Sequence, residues 1–260
     1  MAPLNVVIVG GMGKISQRLT KLFVSSSPPH RVKSIIRQQS QSDALKALAP
    51  DPAFITPIVL SLETSSVAEF TDVFEGSDVV YFIAGAGGKP GEDGQAADER
   101  TKKVDFEGAV KVFDAVEGVK GGNTAKPHLI LVSAIDVRDP EKIPAHYTAD
   151  DVARSERMRK AIPQYMHWKY EADKNLVKRD GFKWTIVRPG GLTDAPETSK
   201  VSIGRTHLGP ISRDDVAKVL LLLATRPKAA GLAIDMIGGT DDIETRLDAF
   251  IEKGETDFLG

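Results

Sequence analysis

The chain has 260 residues, of which 41% are hydrophobic and 27% charged, proportions typical of a soluble globular protein. A formal net charge of −2 and the lack of any apolar run of membrane-spanning length argue against nucleic-acid-binding and membrane proteins. Cysteine is absent, which excludes disulfides, thiolate nucleophiles and cysteine metal ligands.

Short apolar runs alternate with helix-length segments along the whole chain. The candidate strands are residues 4–9, 31–37, 54–60, 78–84, 128–133, 183–188 and 232–237, and residues 104–119 carry a helical pattern. Apolar runs without polar alternation are typical of strands that are covered on both faces. We therefore predict a single doubly wound α/β domain over residues 1–260, a Rossmann-type parallel sheet with helices on both faces.

Two polar breaks rich in glycine and proline follow candidate strands, at residues 85–94 and 193–210. In doubly wound folds, ligands bind outside the carboxyl ends of the strands. We therefore interpret both breaks as loops that cover a ligand, and not as domain linkers. Residues 134–165 and 190–260 are expected to shape most of a substrate cleft.

The glycine-rich stretch VVIVGGMGKIS, residues 6–16, joins the first candidate strand to the first helix. Its Gly10, Gly13 and Ser16 are spaced as GxxGxxS. Glycines at this point allow a tight turn and let the backbone approach a pyrophosphate, an anion that the N-terminus of the helix attracts. The alternative is an ordinary glycine-rich turn. Because serine is small, close packing of helix against strand is expected to survive at position 16.

The end of the second candidate strand indicates which dinucleotide is bound. NAD sites usually place an acidic residue there for the ribose 2′-hydroxyl, whereas NADP sites place a cation there for the 2′-phosphate. Here Arg37 ends the strand, and the first acid is Asp43, which is expected in the next helix. Arginine suits a phosphate, so the sequence favours NADP(H) over NAD. The alternative for Arg37 is a solvated surface side chain.

Three polar residues follow in an order that suggests chemistry. Ser133 ends the fifth candidate strand, and Tyr165 and Lys169 form a Tyr-x-x-x-Lys spacing on a helix that Pro163 is expected to start. A nearby ammonium group lowers the pKa of a phenol, so Lys169 is expected to make Tyr165 a usable acid or base. Ser133 is expected to hydrogen-bond the reacting oxygen. The alternative for Tyr165 is an aromatic packing residue.

These motifs resemble those of the atypical short-chain dehydrogenase/reductases, in the NmrA-like and flavin/biliverdin-reductase-like NAD(P)-binding group that includes fungal proteins labelled NAD-dependent epimerase/dehydratase. The segments that carry the resemblance are GGMGKIS, IAGAGGK, KVDFEGAVKVFDA, LVSAIDVRD, TIVRPGGLTD and HLGPISRDDVA. Two positions depart from the pattern. Ser16 replaces the third glycine, and Ser61 replaces the acidic residue that often reads adenine after the third strand.

The resemblance also implies roles for individual residues. It implies a pyrophosphate loop of Gly10, Gly11, Met12, Gly13, Lys14 and Ile15, a 2′-phosphate residue Arg37, a segment of Ala84 and Gly85 beside adenosine, a catalytic strand end and lysine at Ser133 and Lys169, and a nicotinamide loop of Pro189, Gly190, Gly191 and Leu192. Members of the group vary at the tyrosine, and some bind the cofactor without reducing a substrate.

The sequence therefore predicts an NADP(H)-dependent oxidoreductase that acts on a small carbonyl or conjugated acceptor, with Tyr165 as proton donor. An epimerase or dehydratase using bound NAD(P), and a non-catalytic NADP-sensing regulator of the NmrA-like kind, are the alternatives. The expected partner is a small molecule, with no nucleic acid, membrane or metal, and the oligomeric state is open. The N-terminal residues lack the features of a secretory signal, so a cytoplasmic location is expected.

Overall fold

A nine-stranded sheet runs through the part of the chain that the computed structural model describes, residues 2–87, 96–121 and 126–259. The strands are β1 (Asn5–Val9), β2 (Arg31–Ile36), β3 (Ile55–Val59), β4 (Val79–Phe82), β5 (His128–Val132), β6 (Trp184–Pro189), β7 (Gly191–Thr193), β8 (Lys200–Ile203), β9 (Pro210–Ser212), β10 (Ala233–Gly238) and β11 (Asp241–Asp242). The sheet order is β3-β2-β1-β4-β5-β6-β10-β8-β11, and β7 pairs with β9 in a separate parallel ribbon.

The strands from β3 to β10 in this order are all parallel, and β8 and β11 add an antiparallel edge. The chain order reverses between β1 and β4, which opens a crevice at the carboxyl ends of these two strands. The doubly wound α/β fold predicted from the sequence is therefore confirmed.

Helices cover both faces of the sheet. They are α1 (Lys14–Val24), α2 (Ser42–Lys46), α3 (Val67–Phe74), α4 (Ala97–Thr101), α5 (Gly108–Gly118), α6 (Ala149–Ala161), α7 (Pro163–Leu176), α8 (Arg213–Leu223) and α9 (Ile243–Lys253), and a π-helical stretch, Lys102–Glu107, joins α4 to α5. On one face, α1, α8 and α9 pack through side chains such as Leu19 and Leu220. On the other, α3, α5 and α7 pack through Phe70, Phe113 and Leu176. Each such fully buried side chain contributes about 1.5–3 kcal/mol.

The predicted elements match the observed ones closely. All seven candidate strands are present, with ends within two residues of those expected, and α7 begins at Pro163 as predicted. The break at residues 193–210 is partly wrong as a loop, because it contains β8, a strand of the main sheet. Of the other break, residues 88–94 lie outside the described residues.

Candidate functional site

The loop between β1 and α1 lies tightly against two neighbouring strands. Gly10 has a φ angle of +90°, and a Cβ atom there would come within 2.8 Å of the Ala84 Cα atom, just after β4. A Cβ atom on Gly11 would lie 2.1 Å from Ser34 Oγ in β2. The close approach of the backbone therefore requires glycine at position 10, whereas a side chain at position 11 would have to displace the Ser34 hydroxyl.

Gly13 has a different environment, because neighbouring atoms crowd it less. A Cβ atom there would meet Gly10 O and Ser16 Oγ first, both at 3.2 Å. Gly13 is also the residue before α1, where it supplies no side-chain cap, so the first N–H groups of this helix lack the partner that a polar cap would give. A small residue beside an uncapped helix N-terminus suits an approaching anion.

A cavity of about 290 Å³ lies beside this loop, in the crevice where the strand order reverses. The predicted cofactor residues that line it are Gly10, Gly11, Met12, Gly13, Arg37, Ala84 and Gly85. The structure thus brings together the predicted pyrophosphate loop, the predicted 2′-phosphate residue and the segment predicted beside adenosine. Most of the remaining wall is apolar, with Leu60, Ile83 and Val104 among its residues.

Arg37 follows β2 and lies exposed at the edge of this cavity. Its backbone N–H donates to Gln41 Oε1 at 3.2 Å, but its guanidinium makes no hydrogen bond or ion pair with any residue that the structure describes. The side chain therefore need not break a protein contact to reach a ligand. Arg100 is a second cation in the cavity wall, which sequence reasoning missed; its Nη1 atom donates to Ala86 O at 3.3 Å.

The loop after β3 adds an acidic residue to the cavity wall. Ser61 does line the cavity, but its hydroxyl oxygen accepts hydrogen bonds from Glu63 N at 3.2 Å and Thr64 N at 3.3 Å, which shape a local turn. Glu63, two residues further on, also lines the cavity and is exposed. An acidic residue is therefore present on this loop, displaced by two positions from where the pattern suggested.

The side chains of two predicted pyrophosphate residues, Lys14 and Ile15, lie away from the cavity. Ile15 is buried in the core. The Lys14 side chain is exposed and its Nζ lies 2.5 Å from Asp194 Oδ2, while Arg18 and Arg213 pair with the other oxygen of the same carboxylate. These contacts tie the start of α1 to the segment after β7. Neither side chain lines the cavity.

Lys169 lies in a buried ion pair. Its ammonium group is 3.2 Å from Asp105 Oδ1 and donates to Val132 O at 3.2 Å, while Asp105 Oδ2 accepts the Ala86 N–H at 2.9 Å. Both side chains are almost inaccessible to solvent. Asp105 lies in the π-helical stretch, and sequence reasoning missed it, because an acid in an amphipathic segment is normally interpreted as solvated.

Ser133, predicted as a substrate-oxygen anchor, also has a buried acidic partner. Its hydroxyl donates to Asp173 Oδ2 at 2.9 Å, and Asp173 is fully buried. Burial raises the pKa of Asp173 to about 7, against the opposing effects of Arg188, Ser133 and Lys169. Asp173 follows Lys169 by one helical turn on α7, so the i, i+4 spacing that pointed to Tyr165 and Lys169 could also have revealed it.

Tyr165 does not have the lowered pKa that the sequence suggested. The Lys169 ammonium lies 5.9 Å from the centre of the Tyr165 ring. The Tyr165 hydroxyl makes no hydrogen bond with the described residues. Burial raises the pKa of Tyr165, and Lys169 opposes this only in part, because the charges of Asp105 and Asp173 raise it further. The expected geometry of one helical face is present, but the expected direction of the pKa shift is wrong.

The segment predicted along the nicotinamide follows β6 and runs beside the end of β5. Ile135 N donates to Pro189 O at 3.0 Å, which holds the two segments together just after Ser133. A Cβ atom on Gly190 would lie 2.1 Å from Gly209 O, so glycine is required there by the fold. Gly191 and Leu192 are exposed.

The described part of the chain contains neither a metal-binding cluster nor a membrane-spanning helix. Within residues 2–87, 96–121 and 126–259, no cluster of three or more histidine, aspartate or glutamate side chains has a geometry suited to a metal ion. Over the same ranges, every helix is too short or too polar to cross a membrane.

Comparison with known proteins places this site in a family. A family model described as NAD(P)H-binding matches residues 10–227, which include the glycine loop and most of the sheet. The chain belongs to this NAD(P)H-binding family. The resemblance noted in the sequence and a nicotinamide dinucleotide as cofactor are thereby confirmed, whereas the choice between NADP and NAD is a separate question.

Relatives of this NAD(P)H-binding chain match it over nearly its whole length. It is 36% identical to the UPF0659 protein C216.03 of Schizosaccharomyces pombe, covering 97% of both chains. It is 30% identical to the uncharacterized sugar epimerase YhfK of Bacillus subtilis, covering 94% of this chain and 99% of that one. Among solved structures, the oxidoreductase ylbE from Lactococcus lactis superposes with a TM-score of 0.75 at 24% identity, over 96% of this chain and 97% of that one.

Proposed function

We propose that this protein is an NADP(H)-dependent oxidoreductase that acts on a small carbonyl or conjugated acceptor. The observation that carries the proposal is the cavity of about 290 Å³ that joins the glycine loop to Arg37. A guanidinium without a protein partner among the described residues lies at the end of β2, where the sequence has no acid before Asp43, and it suits the 2′-phosphate of NADP(H).

The residues present fit a dinucleotide. Gly13 and the uncapped N-terminus of α1 would hold the pyrophosphate, Arg37 would hold the 2′-phosphate, and Ala84 and Gly85 would lie beside the adenosine half. When bound, the nicotinamide supplies or accepts a hydride. The segments after β5 and β6, within residues 134–165 and 190–260, would shape the cleft for a small-molecule substrate.

The chain's own polar residues would manage the proton and the substrate oxygen. Tyr165 is protonated at neutral pH, as an ordinary phenol is, and would act as the proton donor to a substrate oxygen. Burial raises the pKa of its phenol, which makes it a weaker acid than the sequence suggested. Lys169, anchored by Asp105, would set the local charge and reach the ribose hydroxyls of the cofactor. Ser133 would hold the reacting oxygen.

Cofactor choice can be tested by titration. We expect NADPH to bind the wild-type protein at least about tenfold more tightly than NADH, which corresponds to about 1.4 kcal/mol. Arg37→Ala should remove most of this difference. Arg31→Ala is the matched control. Arg31 lies at the opposite end of the same strand, so its substitution should leave the cofactor preference unchanged. Equal affinities in the wild-type protein would contradict the NADP assignment.

A sugar epimerase is the second candidate, favoured by the name of the Bacillus subtilis relative at 30% identity. An epimerase regenerates its cofactor within each turnover, so it would convert substrate without a net change in NADPH absorbance. A reductase would consume one NADPH for each product molecule. Measuring both quantities in the same reaction separates the two enzymes.

A dinucleotide-sensing regulator is the non-enzymatic candidate. The observation that favours it is the Tyr165 hydroxyl, which has a raised pKa and no hydrogen-bonding partner among the described residues. Such a protein needs the glycine loop but not the tyrosine. Tight NADP(H) binding without turnover of quinones, flavins, aldehydes or ketones would support this candidate over the reductase.

A further inference from the structure

The contact between Ser133 and Asp173 constrains what Ser133 can do for a substrate. A serine hydroxyl has one proton to donate and can also accept hydrogen bonds, whereas an ionised carboxylate can only accept. With Asp173 ionised, the Ser133 proton is committed to Asp173 Oδ2 at 2.9 Å, and Ser133 offers a bound substrate only lone pairs. With Asp173 protonated, its own proton can serve this contact, and the Ser133 proton becomes available to a substrate.

The surroundings of Asp173 hold it between these two states. Its Oδ1 atom is buried and has no hydrogen-bond partner among the described residues, so nothing at that oxygen stabilises the ionised form. Two cations face Asp173, Arg188 from β6 and Lys169 from the same helix, but each of them forms an ion pair with a different carboxylate. Arg188 Nε is 3.0 Å from Asp235 Oδ1 in β10, and Lys169 Nζ is 3.2 Å from Asp105 Oδ1.

The protonation equilibrium follows from this arrangement. Burial opposes the charge on Asp173, the divided attraction of Arg188 and Lys169 offsets part of that cost, and the pKa of Asp173 is raised to about 7. Burial also raises the pKa of Asp235 to about 7, and the negative charge of each carboxylate disfavours ionisation of the other. Both forms of Asp173 are therefore populated near neutral pH.

We propose that Asp173 is a positioning residue that decides whether Ser133 donates a hydrogen bond to a substrate carbonyl or accepts one from a substrate hydroxyl. The inference rests on the proposed function, in which Ser133 meets the reacting oxygen. A protonated Asp173 suits the carbonyl substrate of the reducing direction. An ionised Asp173 suits the alcohol substrate of the oxidising direction.

Steady-state rates in both directions test the role in turnover. Between pH 6 and pH 8.5, kcat for reduction should fall several-fold, as expected when a carboxyl group that titrates near 7 loses its proton, while KM for NADPH stays constant. Asp173→Asn, a neutral isostere, should lose this step and be impaired in oxidation at high pH. Asp235→Asn is the matched control. It should keep the step and move it to lower pH, because it frees Arg188 to attract Asp173.

Infrared spectroscopy of the protein without substrate tests the protonation itself. A carboxylic-acid band present at pH 6 and absent at pH 8.5 should be lost in Asp173→Asn and shifted in frequency in Ser133→Ala, which removes the hydrogen-bond partner. If no band responds to Ser133→Ala, the inference is overturned whether or not the protein turns over. If Asp173→Asn keeps the wild-type pH step in a working reductase, the inference alone fails. If the wild-type protein shows the band but reduces no acceptor with NADPH bound, the proposed function fails, and the role of Asp173 in turnover fails with it.

Discussion

Asp105→Asn should destabilise the protein through the charge that it leaves behind. The Lys169 side chain is 5% exposed and that of Asp105 is fully buried, and their charged atoms lie 3.2 Å apart. Asparagine keeps an oxygen that can accept the Ala86 N–H, so the substitution removes the ion pair more than the hydrogen bond. Lys169 then retains only the neutral Val132 carbonyl as a hydrogen-bond acceptor.

The size of the effect follows from neutralising one partner of a buried ion pair while the other partner keeps its charge. Removing one partner of such a pair costs about 3–5 kcal/mol, because the remaining charge is buried without compensation. For a chain of this size, that loss corresponds to a decrease in Tm of about 10 °C. Glu171→Gln on the same helix is the matched control. It breaks the half-exposed pair with Lys174, which lies 2.9 Å away, and such pairs contribute little.

The effect should also depend on pH with a definite sign. In the wild-type protein, burial lowers the pKa of Lys169, but Asp105 and the other neighbouring acidic groups outweigh it and hold the pKa above its ordinary value. This contribution to stability is complete below the ordinary lysine pKa and is lost as pH rises through the raised value. In Asp105→Asn, burial dominates and the pKa falls below its ordinary value. The unfolded variant then binds more protons than the folded one, so its stability rises with pH.

Urea unfolding followed by circular dichroism at pH 6.5 and pH 9.5 measures both effects. The gap between the wild-type protein and Asp105→Asn should be larger at pH 6.5. The double variant Asp105→Asn/Lys169→Met, which removes both charges, should recover most of the lost stability. If the double variant is as unstable as the sum of the two single variants, or if the gap widens with pH, the buried pair does not act in the way described.

The remaining predictions concern the cofactor and the proton. Gly13→Val should abolish NADPH binding in a protein that is still folded by circular dichroism, because its side chain would occupy the space beside the N-terminus of α1 while the nearest protein atoms, Gly10 O and Ser16 Oγ, lie 3.2 Å from its Cβ atom; a folded variant with wild-type affinity would place the pyrophosphate elsewhere. Gly10→Val should instead lose folded protein, since its Cβ atom would meet Ala84 at 2.8 Å. Tyr165→Phe should reduce kcat about 10²–10⁴-fold with little change in NADPH affinity, and full activity would exclude Tyr165 as the acid.

Elements whose sequence pattern depends on burial could be predicted well. Successive residues of β1 point to opposite faces of the sheet, and Val7 and Ile8 are both fully buried, so the strand appears in the sequence as an unbroken apolar run. The antiparallel strand β8, which lies between β10 and β11, was missed because its four residues form no apolar run. It buries Val201 and Ile203 but leaves Lys200 exposed and Ser202 partly exposed, a weak pattern inside a polar segment.

The candidate site could be predicted only where glycine geometry or chain order carried the signal. Gly10 and Arg37 follow directly from the ends of strands, and the structure brings them to one cavity. Asp105 could not be found in this way, because an acid that pairs inside the fold looks in sequence like an acid on the surface. The helical spacing places Asp173 one turn after Lys169, but it does not show that the carboxyl group is buried. The direction of the Tyr165 pKa shift was wrong mainly because the sequence does not show that this phenol is buried, and the charges of Asp105 and Asp173 add to the effect of burial.

The buried charges beside Ser133 explain why a proton is held there near neutral pH. Lys169 and Arg188 carry two positive charges, while Asp105, Asp173 and Asp235 would carry three negative charges if all were ionised. Asp136 and Asp257 add further negative charge near Asp235. An excess of buried charge is costly, so a proton on one carboxyl group lowers this excess. Asp173 and Asp235, whose pKa values are both raised to about 7, are the groups that can hold it. Because each affects the other, the two titrate as a coupled pair. A substrate that brings a negative charge towards Ser133 should therefore bind with uptake of a proton, whereas a neutral carbonyl compound should not.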